Sequence, residues 1–448
     1  MNGAAGDDPV APSSRPEGPG DGRTPPADPP AGPADPPAGP PSEPPSVRRV
    51  LRSRRFLPFF LGSVLSNIGT WFQNIAAGLL IYQITGSTLL VGTVHFAQFI
   101  GAFVLAPWAG GAADRFDRRR LLALTQLVAG LTAGLLALLT HLGLVTAPIV
   151  VALSFVLGLS LAFMVPALLS LVPLLVETKD LDAAISLNSL TFNLARAIGP
   201  LLGALVAEQF GYGPAFAMNA LSFLAFAAAL AFLVRPHPQE KVTGPRPRLR
   251  SAIADVRREP VWVALLVVVA AISFTADPIL TLAPELARDV FGGTDLDAGL
   301  LVGAFGVGAT ITAITLTGWL RARRNALPGA LLTQAGGMLV VSVAGHLWLA
   351  MVGMLVSGGG YLAAVTRATT RLQTEVPDVL LGRVMALWSV CFVGSRPFAA
   401  LLDGAVAEVA GARVAAAVMA LPSIVVAVWC AKVLRGPPAS GDPSAGVR

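Results

Sequence analysis

Charge in this chain is confined to short islands between long apolar runs, and that arrangement suits only one solvent. Between Phe56 and Leu434, stretches such as 261-VWVALLVVVAAISF and 424-IVVAVWCAKVL alternate with basic scraps such as 115-RFDRRR and 321-RARR. Bilayer hydrocarbon holds no water to satisfy a peptide group, so a helix that crosses it needs about 20 apolar residues. The spacing leaves room for about twelve such helices. With 54% hydrophobic and 13% charged residues, the chain lies outside the soluble range of roughly 45–50% and about 25%. The expectation is an all-α membrane protein, with the lipid bilayer as its first partner.

The same composition excludes several functions. A net charge of +6 would point to nucleic acid in a soluble protein, but the basic residues are scattered without interleaved aromatics. The accumulation of Lys and Arg on the cytoplasmic side of membranes accounts for it instead, and no nucleic-acid partner is expected. Cys391 and Cys430 both sit inside apolar segments, without the His or carboxylate spacing of a metal site. Neither a disulfide nor a metal is expected. No nucleophile triad is visible, so the chain does not read as an enzyme. The phosphate-cradling pattern Gly-x-x-x-x-Gly-Lys-Ser/Thr does not occur, which leaves gradient coupling as the drive, with no cofactor.

Spans are expected near 56–82, 88–109, 119–141, 147–174, 183–208, 213–234, 260–283, 297–320, 327–348, 350–373, 383–408 and 411–434. The islands 47-VRRVLRSRR, 115-RFDRRR, the stretch 235–259, 321-RARR and 432-KVLR then fall on one side, while the opposite loops carry little besides Arg288 and Arg413. That asymmetry predicts a multi-pass plasma-membrane protein with both termini and the central loop in the cytoplasm. Residues 1–50, rich in Pro, Gly, Ala and Asp, read as a disordered cytoplasmic tail and not as a signal peptide. The remaining boundaries are a six-helix bundle over 51–235, a central loop over 236–259, a second bundle over 260–435 and a short tail over 436–448.

The two halves resemble each other. Around the fifth span the chain reads 195-ARAIGPLLGALVAEQFG and around the eleventh 395-SRPFAALLDGAVAEVAG. Arg196 matches Arg396, Glu208 matches Glu408 and Gly211 matches Gly411 at one constant offset. Related halves around a central site are the architecture of alternating-access transporters.

Three stretches carry a family resemblance. The segment 110-GGAADRFDRRRLL resembles the loop motif Gly-x-x-x-Asp-Arg-x-Gly-Arg-Arg of the major facilitator superfamily, matching at Gly110, Asp114, Arg115, Arg118 and Arg119, with Asp117 where a Gly is expected. In 188-NSLTFNLARAIGPLLG, Gly199, Pro200 and Gly203 resemble the antiporter Gly-Pro-x-x-Gly motif, with Ala195 in place of its first Gly. The third stretch, 62-GSVLSNIGTWFQNIAAGLLIYQITGS, is typical of the twelve-span efflux branch that contains the enterobactin exporter and macrolide exporters. The resemblance covers nearly everything after residue 50. It implies the major facilitator fold, two pseudo-symmetric six-helix bundles around a midplane cavity. It also implies secondary active export of a drug-like or siderophore-like organic solute, by proton antiport.

Each motif also has its own physics. Asp114 is expected at the start of span three, where an Asp can accept free N–H groups and faces the positive end of helix dipoles, so it suits a latch against a neighbouring helix, by resemblance span eleven. Arg118 is expected to reach Glu177 or Asp180; the basic run also serves simply as a topology signal. Gly199 and Pro200 remove a side chain and a backbone donor in mid-helix, which favours close helix approach and a bend, for packing or for transport.

Ionisable groups inside a bilayer are costly, at least about 2.5–3.5 kcal/mol each on insertion scales, and mark candidate sites. Asp277 and Asp403 are the candidates for proton coupling, with His95 as an alternative relay. Arg196 and Arg396 either bind an anionic group of the substrate or pair with carboxylates and carbonyls. Asn67, Trp71 and Asn74 share a face of span one and either line a cavity or bond helix to helix. The expected partners are a small organic molecule and protons, and a monomer is expected. An importer or lysolipid flippase on the same fold, or a sensor that has lost transport, remains open.

Overall fold

A computed structural model describes residues 46–234, 256–276, 278–315 and 326–433, nearly all of them helical. Most of the N-terminal tail and central loop, the 321-RARR island, the C-terminal tail and Asp277 lie outside the described residues. So do the side-chain surroundings of Gly110 and Asp114, although both positions belong to the second long helix.

After a short helix, Val47–Arg52, twelve helices are long and apolar enough to cross a bilayer. Spans 1 to 6 are Phe56–Thr85, Thr88–Arg115, Arg118–His141, Ala147–Leu174, Thr178–Phe210 and Tyr212–Phe232. Spans 7 to 12 are Pro260–Val290, Asp295–Thr315, Ala326–Val343, Leu347–Glu375, Leu380–Ala410 and Ala412–Lys432. Span 1 begins and span 12 stops at the same end of the bundle, called here the terminal end.

Local chemistry sets the tight turns at the opposite end. Gly86, at φ 63°, closes span 1 with its N–H on the Tyr82 carbonyl, and the Ser87 hydroxyl then accepts from the Leu90 N–H to open span 2. Gly211 and Gly411, at φ 87° and 85°, close spans 5 and 11 through bonds to Ala207 and Ala407. That left-handed region favours glycine, which has no Cβ to clash.

Two expectations change here. Span 2 does not stop near residue 109 but runs to Arg115, because 110-GGAADR is built of small residues with charge only at its end. Asp114 therefore lies in the last turn of span 2 and not at the start of span 3. Span 3 is capped by Asp117, whose Oδ1 accepts the Arg120 N–H at 2.8 Å, which gives a local reason for the departure from Gly at that position. Span 11 is two helices, Asp378–Gly394 and Arg396–Ala410, joined at Ser395, whose hydroxyl donates to the Cys391 carbonyl at 2.7 Å. Pro397 just beyond has no N–H to continue the ladder.

The internal repeat reappears in the packing. Spans 2 and 4, 3 and 6, and 1 and 5 pack together in the first half, as do 8 and 10, 9 and 12, and 7 and 11 in the second. A Cβ on Gly158 would collide with the Gln98 carbonyl, and one on Gly358 with the Phe305 carbonyl. Across the halves, span 2 crosses span 11 as span 8 crosses span 5: a Cβ on Gly92 would strike the Ala400 carbonyl, and one on Gly299 would stand 3.0 Å from that of Pro200. Lipid gives helices no hydrophobic reason to associate, so small residues that admit close backbone contact supply the attraction through dispersion.

Candidate functional site

Where the halves meet at mid-depth, Trp71, Phe99, Arg196, Leu280, Phe305 and Arg396 are among the residues that line a cleft. The free space between them is about 10 Å³, room for about one water molecule. Span 5 supplies Arg196 and the second segment of span 11 supplies Arg396, its repeat equivalent. The Arg196 guanidinium carbon lies 5.2 Å from the ring centre of Trp71, 4.8 Å from Phe305 and 4.4 Å from Tyr361. Trp71 belongs to the first half and the other two rings to the second, so this cage spans the seam. Arg396 lies 5.4 Å from Phe99 of the first half and 5.0 Å from Phe392 of its own. Phe392 in turn stacks on Trp388.

The other intramembrane candidates are dispersed. Asp403 is fully buried in the second segment of span 11, towards the sealed end. His95 is buried on span 2, and neither ring nitrogen hydrogen-bonds a described residue. Its Nε2 lies 3.6 Å from where a Cβ on Gly78 of span 1 would stand. Of the strip on span 1, Trp71 alone lines the cleft. The Asn67 amide donates to the Ser63 carbonyl one turn back at 2.8 Å, and the Asn74 carbonyl accepts from Gln98 of span 2 at 3.0 Å. These are helix-to-helix and within-helix bonds.

Gly199 and Gly203 let span 5 lie against span 1. A Cβ on Gly199 would stand 2.7 Å from that of Trp71, and one on Gly203 2.5 Å from the Phe72 carbonyl oxygen. Pro200 continues the same buried face. The Gly-Pro-x-x-Gly run thus positions both the ring and the cation of the cage.

At the terminal end Arg118 donates to the Ser170 carbonyl at 3.3 Å, and Arg119 to that of Val234 at 3.0 Å. Asp180, expected opposite Arg118, is instead paired with Arg49 at 3.0 Å and accepts the Ser46 N–H. Arg115 is exposed.

The opposite end is sealed by bonds between the halves, which the sequence reading did not anticipate. Glu208 accepts the N–H of Leu296 at 2.7 Å, at the start of span 8. Its repeat partner Glu408 accepts the N–H of Leu89 at 3.2 Å, at the start of span 2, and the hydroxyl of Ser87. Tyr82 donates to Asp289 and Thr88 to Glu285. Tyr212 bonds Asp295, which also pairs with Arg288. Residues 71–82 of span 1 are buried at every position, while 57–70 alternate. A helix buried all round is enclosed by its neighbours, so the cleft is closed on this side.

Residues 48–442 match the sequence profile of the family described as transmembrane secretion effector. The enterobactin exporter EntS of Shigella boydii serotype 4 (strain Sb227) is 30% identical over 370 residues, covering 78% of this chain and 84% of that protein. Among solved structures, a bacterial homologue of the human lysosomal transporter Spinster, inward-facing and occupied, superimposes with a TM-score of 0.68 at 14% identity over 86% of this chain and 98% of that one. A D-xylose–proton symporter gives 0.66 at 15% identity over 84% and 97%. At those identities the structures bear on the fold alone.

Proposed function

The chain belongs to the transmembrane secretion effector family of major facilitator transporters, and on that premise we propose that it exports an organic solute across the plasma membrane by alternating access, driven by proton antiport. The observation that carries this reading is the central cleft itself. Its cations and rings come from both halves, so a solute bound there touches two bodies that can tilt against each other. A ligand shifts such an equilibrium only through different contacts in the two states, and a seam site supplies them.

The basic islands of the sequence support a cytoplasmic terminal end. With the sealed end external, the seal supports an inward-facing, cargo-loading state of an exporter. In this reading the major facilitator loop motif, Gly110, Asp114, Arg115, Arg118 and Arg119, closes the cytoplasmic end after the switch. Asp403 or Asp277 carries the coupling proton, with His95 as an alternative relay, since each is an ionisable group at membrane depth.

Uptake into everted membrane vesicles tests the proposal. A panel of fluorescent or radiolabelled solutes should include at least one that accumulates with energised vesicles and leaves again on adding an uncoupler. Asp277→Asn combined with Asp403→Asn should abolish that accumulation while membrane levels stay unchanged. Accumulation only in right-side-out vesicles would make the protein an importer, and a fully active double variant would remove both carboxylates from the coupling.

A further inference from the structure

We propose that a water molecule binds between His95 of span 2 and the Leu280 carbonyl of span 7, in the space that Gly78 of span 1 leaves, and links the two halves there. His95 is 1% exposed, and neither ring nitrogen hydrogen-bonds a described residue. A neutral imidazole has one N–H donor and one acceptor nitrogen, and burying either without a partner is costly. Leu280 presents an acceptor. It lies in the second helix of span 7, Pro278–Glu285, and the residue that would return an N–H to its carbonyl one turn on is Pro284. A proline has no N–H to give. Beside it, Thr281 is fully buried, and its hydroxyl too bonds no described residue.

Gly78 brings these groups together. A Cβ there would stand 3.6 Å from His95 Nε2, 3.8 Å from the Leu280 carbonyl oxygen and 3.5 Å from Val91. These are ordinary contact distances, so close backbone packing does not demand a glycine. Gly92 and Gly199 differ, since a Cβ on them would collide with Ala400 and Trp71. Gly78 therefore leaves space the size of a methyl group, bordered by a histidine nitrogen and a carbonyl oxygen. A water molecule needs about that much room and roughly two to four polar partners. It cannot approach the Gly78 Cα as closely as a bonded carbon does, so it sits farther out and nearer to both groups. It donates one hydrogen to the Leu280 carbonyl. With the other atoms it either accepts from Nε2–H or donates to a bare Nε2, and so serves both tautomers of the ring; a direct bond to the carbonyl serves only one. Span 2 belongs to the first half and span 7 to the second, so the link crosses the seam and is remade when the halves tilt. The site does not depend on the direction of transport. On the relay reading above, this water is the partner with which His95 exchanges a proton.

The test is NMR of the full chain in nanodiscs with isotope-labelled histidine. The chain has four histidines, and His141→Gln, His237→Gln and His346→Gln together leave His95 as the sole ring signal. That ring should receive magnetisation from water protons. Gly78→Ala should abolish the transfer while folded yield stays the same, because a methyl group fits at contact distance. Asp277→Asn should leave the transfer in place. No transfer to His95 before any change at Gly78 overturns the proposal, as does a transfer that survives Gly78→Ala. A ring signal that shifts in Asp277→Asn and ignores Gly78→Ala gives the nitrogen to that carboxylate and overturns it as well. Each of these results leaves the export reading untouched, since none of them measures flux.

Discussion

At the sealed end, carboxylates from one half reach the helix starts of the other, Glu208 onto span 8 and Glu408 onto span 2. At the terminal end, the bonds seen among the described residues, Arg49 to Asp180, Arg118 to Ser170 and Arg119 to Val234, run between elements of the same half. The first set must break for the halves to tilt; the second only keeps one half rigid. The same division holds for the glycines. Gly158 and Gly358 admit close contact inside a half, whereas Gly92 and Gly299 admit it across the seam. Contacts of one chemical type therefore have two different consequences, depending on which side of the seam their partner lies.

Side chains added at the glycines should break this comparison most forcefully. Gly158→Leu drives a side chain into the Gln98 carbonyl within the first half and should cost about 3 kcal/mol or more of stability, read as lost folded yield on size exclusion. Gly92→Leu meets the Ala400 carbonyl across the seam. It should keep its yield yet hold the sealed end open, read as thiol labelling of a Thr88→Cys reporter in a background without Cys391 and Cys430. Equal losses of yield from both would erase the distinction.

A smaller effect should come from the paired carboxylates. A negative charge at a helix start contributes about 0.3–1 kcal/mol, so Glu208→Gln with Glu408→Gln should raise labelling of the Thr88→Cys reporter by roughly 3- to 30-fold. Each single change should give about half that shift in free energy. The smallest change belongs to the terminal end. Arg49 is one-third exposed, so Arg49→Ala should lower stability by at most about 1 kcal/mol and leave the reporter's labelling as it was.

Much of this was legible in the sequence, because hydrocarbon imposes a strong constraint on composition. Twelve spans, the family, and the repeat linking Arg196 with Arg396 and Glu208 with Glu408 all follow from residues in a row. The site was legible only in part. Arg196 and Trp71 stood out as a charge and a large ring at membrane depth, but their companions Phe305 and Tyr361 look like ordinary lipid-facing aromatics until spans 8 and 10 are placed. Glu208 and Glu408 were visible as repeat markers, yet their acceptors are backbone N–H groups, which every residue carries and no sequence distinguishes. Asn67 and Asn74 share a face with Trp71, and the sequence left cavity lining and helix bonding both open for them; their amides are engaged by Ser63 and Gln98.

Paired spin-label distances across the seam test the rocking of two related halves most directly. One pair would sit at Gln83 and Thr294, both exposed at the sealed end, and the other at Arg120 and Thr374, both exposed at the terminal end. When a transported solute or a pH jump drives the switch, the first distance should lengthen while the second shortens. Two distances that move in the same sense, or neither moving while flux continues, would contradict the account.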